Sequence, residues 1–161
     1  MYQKSGAEHI FSDDHRIGKA GERIFKEYLD KHNIEYRDVS EDAEYQKRDV
    51  DFVVKGKRGD VLVEVKNDTK IAYTGNIFYE CISNVDYNTV GCFEKTEAEW
   101  IVICSEADSS FYIVNTNLLR KYVNGNREKL RYISRVVGSN SAGYLIPKNN
   151  IPELLKIVKF A

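Results

Sequence analysis

The fold is decided by the stretch VDFVVKGKRGDVLVEVK, which occupies residues 50–66. Val50–Lys55 and Val61–Lys66 are both rich in valine, and Gly56–Asp60 between them collects glycine and charge. Two β-prone runs joined by so short a loop predict an antiparallel β-hairpin. In such a hairpin the start of the first strand meets the end of the second.

Side chains of the second strand alternate between the two faces of the sheet. One face receives Val61, Val63 and Val65, and the other receives Leu62, Glu64 and Lys66. A carboxylate and an ammonium on an otherwise apolar strand are costly to bury unless they have partners. The hairpin supplies one, because Asp51 opens the neighbouring strand. We therefore expect Asp51, Glu64 and Lys66 to converge at one end of the sheet.

Two carboxylates at short range repel each other unless a cation lies between them. Ligands that are all oxygen favour Mg²⁺ or Mn²⁺ over zinc. An ion held by one or two carboxylates takes further ligands from water and phosphate, which suits phosphodiester hydrolysis. No ATP is expected, since Gly18-Lys19 and Gly56-Lys57 are followed by alanine and arginine, not by the serine or threonine of a P-loop.

Asp51, a strand-turn-strand and Glu64-Val65-Lys66 together resemble the motif of the PD-(D/E)XK nuclease superfamily. The upstream segment Gly18–Arg23, which runs into an apolar stripe ending at Leu29, is similar to the first helix of Holliday-junction-resolvase-like and small phage-type members. The resemblance implies an α/β (α+β) fold, in which a restriction-endonuclease-like core has a central mixed β-sheet flanked by helices.

The resemblance also implies a role for each residue. Asp51 and Glu64 would ligate Mg²⁺, with Mn²⁺ able to substitute, and the backbone carbonyl of Val65 would be a further ligand. Lys66 would position the attacking water. Glu22 would help to hold a second metal or a metal-bound water, and whether one or two metals bind stays open.

Three further residues are accessory candidates. Asp49 has the same facing as Asp51 in an extended strand and is the alternative ligand, although Asp51 directly opens the apolar Phe52–Val54 run. Gln46 precedes the acidic strand, as in a variant of the motif. Glu80 ends the stretch Thr74–Glu80, which we expect to be another strand at the site.

The expected partner is DNA, although RNA and a catalytically inactive DNA- or protein-binding module stay open. The net charge is −1, so a polyanion must be held by a local basic patch or through metal. The predicted nucleic-acid contacts are Arg120, Lys121, Arg127, Arg131 and Arg135. Tyr73 or Tyr79 is a candidate for base stacking. Because cutting both strands needs two active sites, we expect a homodimer. A chain of 161 residues has little room for sequence-reading elements, so we expect weakly selective or structure-selective cleavage.

The length of 161 residues predicts one domain, with residues 1–16 as a loose arm. Three unpaired cysteines, a polar N-terminus and no long apolar run predict a cytoplasmic protein, in the host if viral. The remaining expected elements are helices over Ile17–His32, over Asn115–Tyr122 with Thr116 as N-cap, and over Pro152–Val158, strands over Ile34–Val39, Ile77–Ile82, Trp100–Cys104 and Phe111–Val114, and a hairpin over 131–137 and 143–146.

Overall fold

The computed structural model describes residues 6–161, with side chains from residue 15 onward. The helices are α1 (Gly6–Lys31), α2 (Ala43–Gln46), α3 (Ile71–Thr74), α4 (Cys92–Lys95) and α5 (Thr116–Asn126). The strands are β1 (Tyr36–Asp38), β2 (Phe52–Gly56), β3 (Gly59–Asn67), β4 (Asn76–Asn84), β5 (Thr89–Val90), β6 (Trp100–Ser105), β7 (Ser110–Asn115), β8 (Arg131–Ile133), β9 (Ala142–Pro147) and β10 (Leu155–Lys159).

The strands form two sheets. The larger has six strands in the order β1-β2-β3-β6-β7-β10, and the smaller has four in the order β5-β4-β9-β8. Only the central pair β3–β6 is parallel among the described pairings. The expected α/β (α+β) fold with a mixed central sheet and flanking helices is therefore confirmed.

The predicted hairpin is β2–β3. Its antiparallel register pairs Phe52 with Val63 and Gly56 with Gly59, so only Lys57 and Arg58 lie between the strands. Alternation along β3 also holds, because Val63 and Val65 are buried beneath α1 while Leu62 packs in a separate cluster on the other face. Side chains of even number on β3 thus face away from α1.

Each face of the six-stranded sheet has its own apolar core. On one face, Phe25 and Leu29 of α1 pack against Val65, Val102 and other strand residues. On the opposite face, α5 and the smaller sheet bury a second cluster that includes Ile101, Ile103, Leu119 and Ile146. Alternate residues of β6 serve the two cores, as a strand covered on both sides requires.

Helix α1 is longer than expected. It begins at Gly6, so the expected arm over residues 1–16 is helical from residue 6 onward, and residues 1–5 lie outside the described residues. The helix then ends at Lys31, close to the predicted end at His32. At α5 the N-cap is Asn115, whose side chain accepts a hydrogen bond from the Leu118 N–H, and not Thr116.

The predicted helix over Pro152–Val158 is wrong. Residues 155–159 form β10, which pairs antiparallel with β7 along Leu155–Val114 and Val158–Phe111. The open edge of β7 offers backbone partners, and Ile157-Val158 is β-branched, so edge pairing prevails over a short amphipathic helix. No helix in the described part of the chain is long and apolar enough to cross a bilayer.

The other expected strands are placed close to their predicted bounds. The segment over Ile34–Val39 is strand only at Tyr36–Asp38. The second hairpin is β8–β9, in which Arg131 lies opposite Leu145. Strand β8 ends at Ile133, short of the predicted 131–137, so only Arg131 of the two predicted contacts Arg131 and Arg135 lies on this strand.

Candidate active site

Asp51 lies immediately before β2, beside a part of β3 that has no strand partner on that side among the described pairings. Its N–H donates to the Val63 carbonyl at 2.9 Å, and its Oδ2 accepts a hydrogen bond of 2.8 Å from the Val65 N–H. Burial raises the pKa of the Asp51 carboxyl, the Val65 N–H opposes that rise, and the Glu22 carboxylate adds to it. The Asp51 side chain therefore continues the hydrogen-bond ladder along β3 beyond the first residue of β2.

Glu64 and Lys66 project from β3 on the face away from α1. Lys66 Nζ lies 3.1 Å from Glu64 Oε1, and Glu64 is only 5% exposed. Burial raises the pKa of Glu64 to about 8, with the Asp51 charge adding to the rise and Lys66 opposing it. Burial would lower the pKa of Lys66, but the charge and hydrogen bond of Glu64, with the charge of Glu80, outweigh that effect and raise it, so the ammonium stays protonated.

Glu22 is carried to the same region by α1. The helix approaches β3 closely at Gly21, where an added Cβ would lie 3.0 Å from Asn67 Cβ. Asn67 Nδ2 also donates to the Ile17 carbonyl at 2.8 Å. Lys19 Nζ pairs with Glu22 Oε2 at 2.9 Å, and the charges of Glu22 and Asp51 both help to raise the pKa of Lys19.

The smaller sheet and α4 complete the surroundings of Glu64. Cys92 is buried, and its Sγ lies 3.4 Å from Glu64 Oε1. Its backbone N–H donates to Glu80 Oε1 at 3.4 Å. Gly91 permits this approach, because a Cβ there would lie 2.5 Å from the Glu80 carbonyl oxygen. The sequence led us to expect Glu80 here, at the end of a strand near the site, whereas nothing in the sequence around Cys92 indicated that Cys92 would lie beside Glu64.

Asp49 and Gln46 lie to the side of these groups. The backbone at Asp49 is left-handed, with φ of 48°, so the extended backbone from which a common facing with Asp51 was expected is interrupted there. Asp49 Oδ1 lies 3.5 Å from Lys95 Nζ. Burial is the main cause that raises the pKa of Glu80, and the Asp49 charge adds to that rise. Gln46 is exposed, and its Nε2 donates to the Ser40 carbonyl at 2.9 Å.

The five basic candidates have different surroundings. Arg120 donates from its guanidinium to the carbonyls of Phe93 and Thr96, both at 2.7 Å, and so ties α5 to α4. Arg127 pairs with Glu94 at 3.4 Å, and Arg135 pairs with Asp86 at 2.9 Å. Lys121 and Arg131 are exposed. Arg120 thus has a structural role that a count of charges could not reveal.

The two tyrosines predicted to stack on bases also differ. Tyr79 is fully buried between the smaller sheet and Phe93, with ring centroids 5.3 Å apart, so it cannot reach a base. Tyr73 is 81% exposed. Burial of Tyr79 follows from its position on β4, whose alternate residues Ile77 and Tyr79 face the core.

The donor set suits a hard divalent cation. Asp51 and Glu64 are neighbouring carboxylates whose pKa values are raised, so a cation between them would relieve both their repulsion and their burial. Within the described residues no three His, Cys, Asp or Glu side chains form a ready cluster for a metal. One or two carboxylates are nevertheless the usual protein ligands of Mg²⁺, which takes its remaining ligands from waters and substrate phosphates.

Asp51, Glu64 and Lys66 thus converge at the end of the β2–β3 hairpin in a mixed sheet. The family model of the nuclease-related domain (NERD) matches residues 17–137, which is most of the chain. The chain therefore belongs to the nuclease-related domain family. Neither a curated protein nor a solved structure matches it.

Proposed function

We propose that the chain is a Mg²⁺-dependent endonuclease of the PD-(D/E)XK type, near the Holliday-junction-resolvase-like and phage-type enzymes, that hydrolyses DNA. One observation carries this proposal. Asp51, Glu64 and Lys66 meet at the end of the β2–β3 hairpin, with the Glu64 carboxylate buried and 3.1 Å from the lysine. Such a cluster costs stability and has no evident use in the fold alone.

Asp51, Glu64 and the Val65 carbonyl would hold Mg²⁺ or Mn²⁺. When bound, the cation supplies charge stabilisation for the phosphoryl oxygens and acidifies a water. Lys66 stays protonated, so it orients the water and offsets the negative charge that develops on the phosphate. Glu22, on α1, assists from the opposite side of Asp51, and Lys19 holds it in place. No residue in this set requires ATP.

Substrate contact falls to the residues whose charges are exposed. Arg131 and Lys121 are the basic candidates best placed for a phosphate backbone, since Arg120 is tied to carbonyls and both Arg127 and Arg135 have acidic partners. The near-neutral net charge makes binding depend on these few groups and on the cation. Two copies of the chain would cut both strands of a duplex or junction.

The test is a cleavage assay on plasmid, branched DNA and structured RNA. Wild type with Mg²⁺ is expected to cut DNA. Wild type with EDTA, and Lys66→Ala with Mg²⁺, are expected to lose at least about 100-fold in rate, the usual scale for one charge-stabilising group. Lys57→Ala is a matched control, because Lys57 lies in the distal turn of the same hairpin.

Each contrary outcome has a definite meaning. Binding of DNA without cleavage in Mg²⁺ or Mn²⁺ would identify a nuclease-fold binding module instead. Faster cleavage of RNA than of DNA would overturn the substrate assignment. Full activity of Lys66→Ala would remove Lys66 from the reaction.

A further inference from the structure

A small cavity opens beside Lys66, at the end of β3 and next to strand β4 of the smaller sheet. Its volume is about 140 Å³. Phe78, Phe93 and Ile103 supply its apolar lining, and the rest is polar, from Lys66, Asn67, Asp68 and Glu80. An apolar wall with a few polar groups on one side is the usual make-up of a small-ligand site.

The size of the cavity matches a single aromatic ring. An apolar protein cavity of roughly 150 Å³ accepts one benzene molecule. One pyrimidine base is a six-membered ring of similar size, whereas a purine adds a second fused ring. Phe93 and Ile103, at 4% and 2% exposure, form a fixed floor, and Phe78 is half-buried at the wall.

The polar side of the cavity favours a ring that carries an amino group. Asp68 is already engaged, because its Oδ1 accepts from the N–H groups of Lys70 and Ile71 at 2.7 and 2.9 Å. Glu80 receives only the long 3.4 Å bond from Cys92 among the described hydrogen bonds, and a carboxylate has about four acceptor sites. Acidic side chains read cytosine by accepting from its N4 amino group.

The cavity adjoins the reacting groups, and the basic side chain of Arg131 lies farther along the smaller sheet. Lys66 belongs to its lining and contacts Glu64 at 3.1 Å. Across the smaller sheet, Phe78, Leu145 and Arg131 lie in register on adjacent strands. With strands about 4.8 Å apart, Arg131 is roughly 10 Å from Phe78. That span suits a phosphate of the same nucleic-acid strand.

We infer that this cavity binds one unpaired pyrimidine of the substrate strand, cytosine by preference, next to the phosphate that faces Lys66. The inference rests on the proposed nuclease function and gives it a substrate class: cleavage beside an unstacked base. A paired base inside a continuous duplex would first have to leave the stack, which is costly.

A double-mutant cycle tests the contact. Binding is measured by fluorescence anisotropy, in EDTA so that nothing is cut, on single-stranded oligonucleotides whose central residue is cytosine, thymine, adenine or abasic. Phe78→Ala is expected to weaken binding of the cytosine strand about five- to tenfold, the scale of one stacked base, and to leave the abasic strand unchanged. Glu80→Gln is expected to reduce the preference for cytosine over thymine.

Tyr87→Ala is the matched control, since Tyr87 is an 83% exposed ring outside the cavity. Phe78→Leu replaces Phe78→Ala if thermal melting shows that the alanine variant does not fold. An equal loss on the cytosine and abasic strands would overturn the inference. So would tighter binding of purine than of pyrimidine strands at this position.

The two proposals fail differently. A base-specific loss in a protein that cuts no substrate would retain the cavity and reject the nuclease. Equal cleavage of paired and unpaired DNA, together with no coupling between Phe78→Ala and the abasic substitution, would support the nuclease and reject base binding in the cavity.

Discussion

The buried Cys92 thiol lies with its Sγ 3.4 Å from Oε1 of Glu64 and donates to that carboxylate. The two residues come from different parts of the fold, Glu64 from the central strand β3 and Cys92 from the first position of α4. Burial strongly raises the pKa of Cys92, so the sulfur stays a thiol and keeps its proton available for the hydrogen bond. A weak donor therefore faces the most buried acid of the candidate site.

Cys92→Ser and Cys92→Ala should separate in their pH dependence of metal binding. The two side chains have nearly the same size, but only serine can donate to Glu64, and a donor favours the charged carboxylate. We expect the midpoint of Mn²⁺ binding against pH to be lower in the serine variant by about half a pH unit or more. Calorimetric titration over pH 6–9 measures it, and equal midpoints would contradict the hydrogen bond.

The metal-free protein should lose stability as the pH rises. Glu64 has a pKa of about 8 in the folded chain against 4.5 for an unperturbed glutamate, so the folded state holds the proton more tightly. Its contribution is full below pH 4.5 and declines as the pH rises through about 8. Melting in EDTA over pH 5–9 should show a falling Tm, and saturating Mg²⁺ should reduce the fall by binding the ionised form.

Glu64→Gln should be more stable than wild type and inactive. The amide removes the cost of ionising a buried acid while keeping its shape, so the Tm in EDTA at pH 8 should rise and depend little on pH. Cleavage should fall by at least about 100-fold. Glu35→Gln is the control, since Glu35 forms an exposed pair with Lys55. A less stable Glu64→Gln variant would mean that the ion pair with Lys66 outweighs the cost of burying the carboxylate.

Arg120→Ala and Arg131→Ala should affect different properties. Arg120→Ala leaves the Phe93 and Thr96 carbonyls without their donor, so we expect a stability loss of about 2 kcal/mol or more. Arg131→Ala should leave stability unchanged and weaken DNA binding, with a smaller salt dependence by about one counterion. Urea unfolding and salt-titrated anisotropy test the pair. Weaker DNA binding by Arg120→Ala without a loss of stability would instead assign Arg120 to the DNA-binding surface.

Gly21→Ala and Gly18→Ala should have different effects on the stability of the protein. Both add the same methyl group to α1, but at Gly18 it meets no atom of the described residues within 4 Å, whereas at Gly21 it lies 3.0 Å from Asn67 Cβ. Gly18→Ala should raise stability by about 0.5–1 kcal/mol through helix propensity. Gly21→Ala should be less stable than Gly18→Ala and should cut more slowly, because it displaces Glu22. Equal stabilities would mean that α1 shifts away from Asn67 at no cost in stability.

Sequence reasoning reached the parts of the site that depend on local rules. The convergence of Asp51, Glu64 and Lys66 follows from strand alternation and one short turn, both readable within residues 50–66. Cys92 was missed because it reaches Glu64 only after the chain has traversed residues 68–91, and no spacing rule covers that distance. Glu80 lies on the same excursion and was reached only through its strand pattern.

Other differences have equally physical causes. The segment at β10 reads as a short helix until the open edge of β7 is known. The basic run 120–135 reads as a binding surface, yet Arg120 is committed to backbone carbonyls. The expected facing of Asp49 assumed an extended backbone, and a left-handed residue ends that alternation.

The parallel pairing of β3 with β6 has a consequence for the order of folding. The hairpin that carries Asp51, Glu64 and Lys66 closes between near neighbours in the chain, whereas Glu80 and Cys92 arrive only when the crossover from β3 to β6 has docked. Loop-closure entropy makes such distant contacts late. The walls of the cavity should therefore assemble after its lysine is in place. In native-state hydrogen exchange, the amides of α4 should open at lower free energy than those of β3.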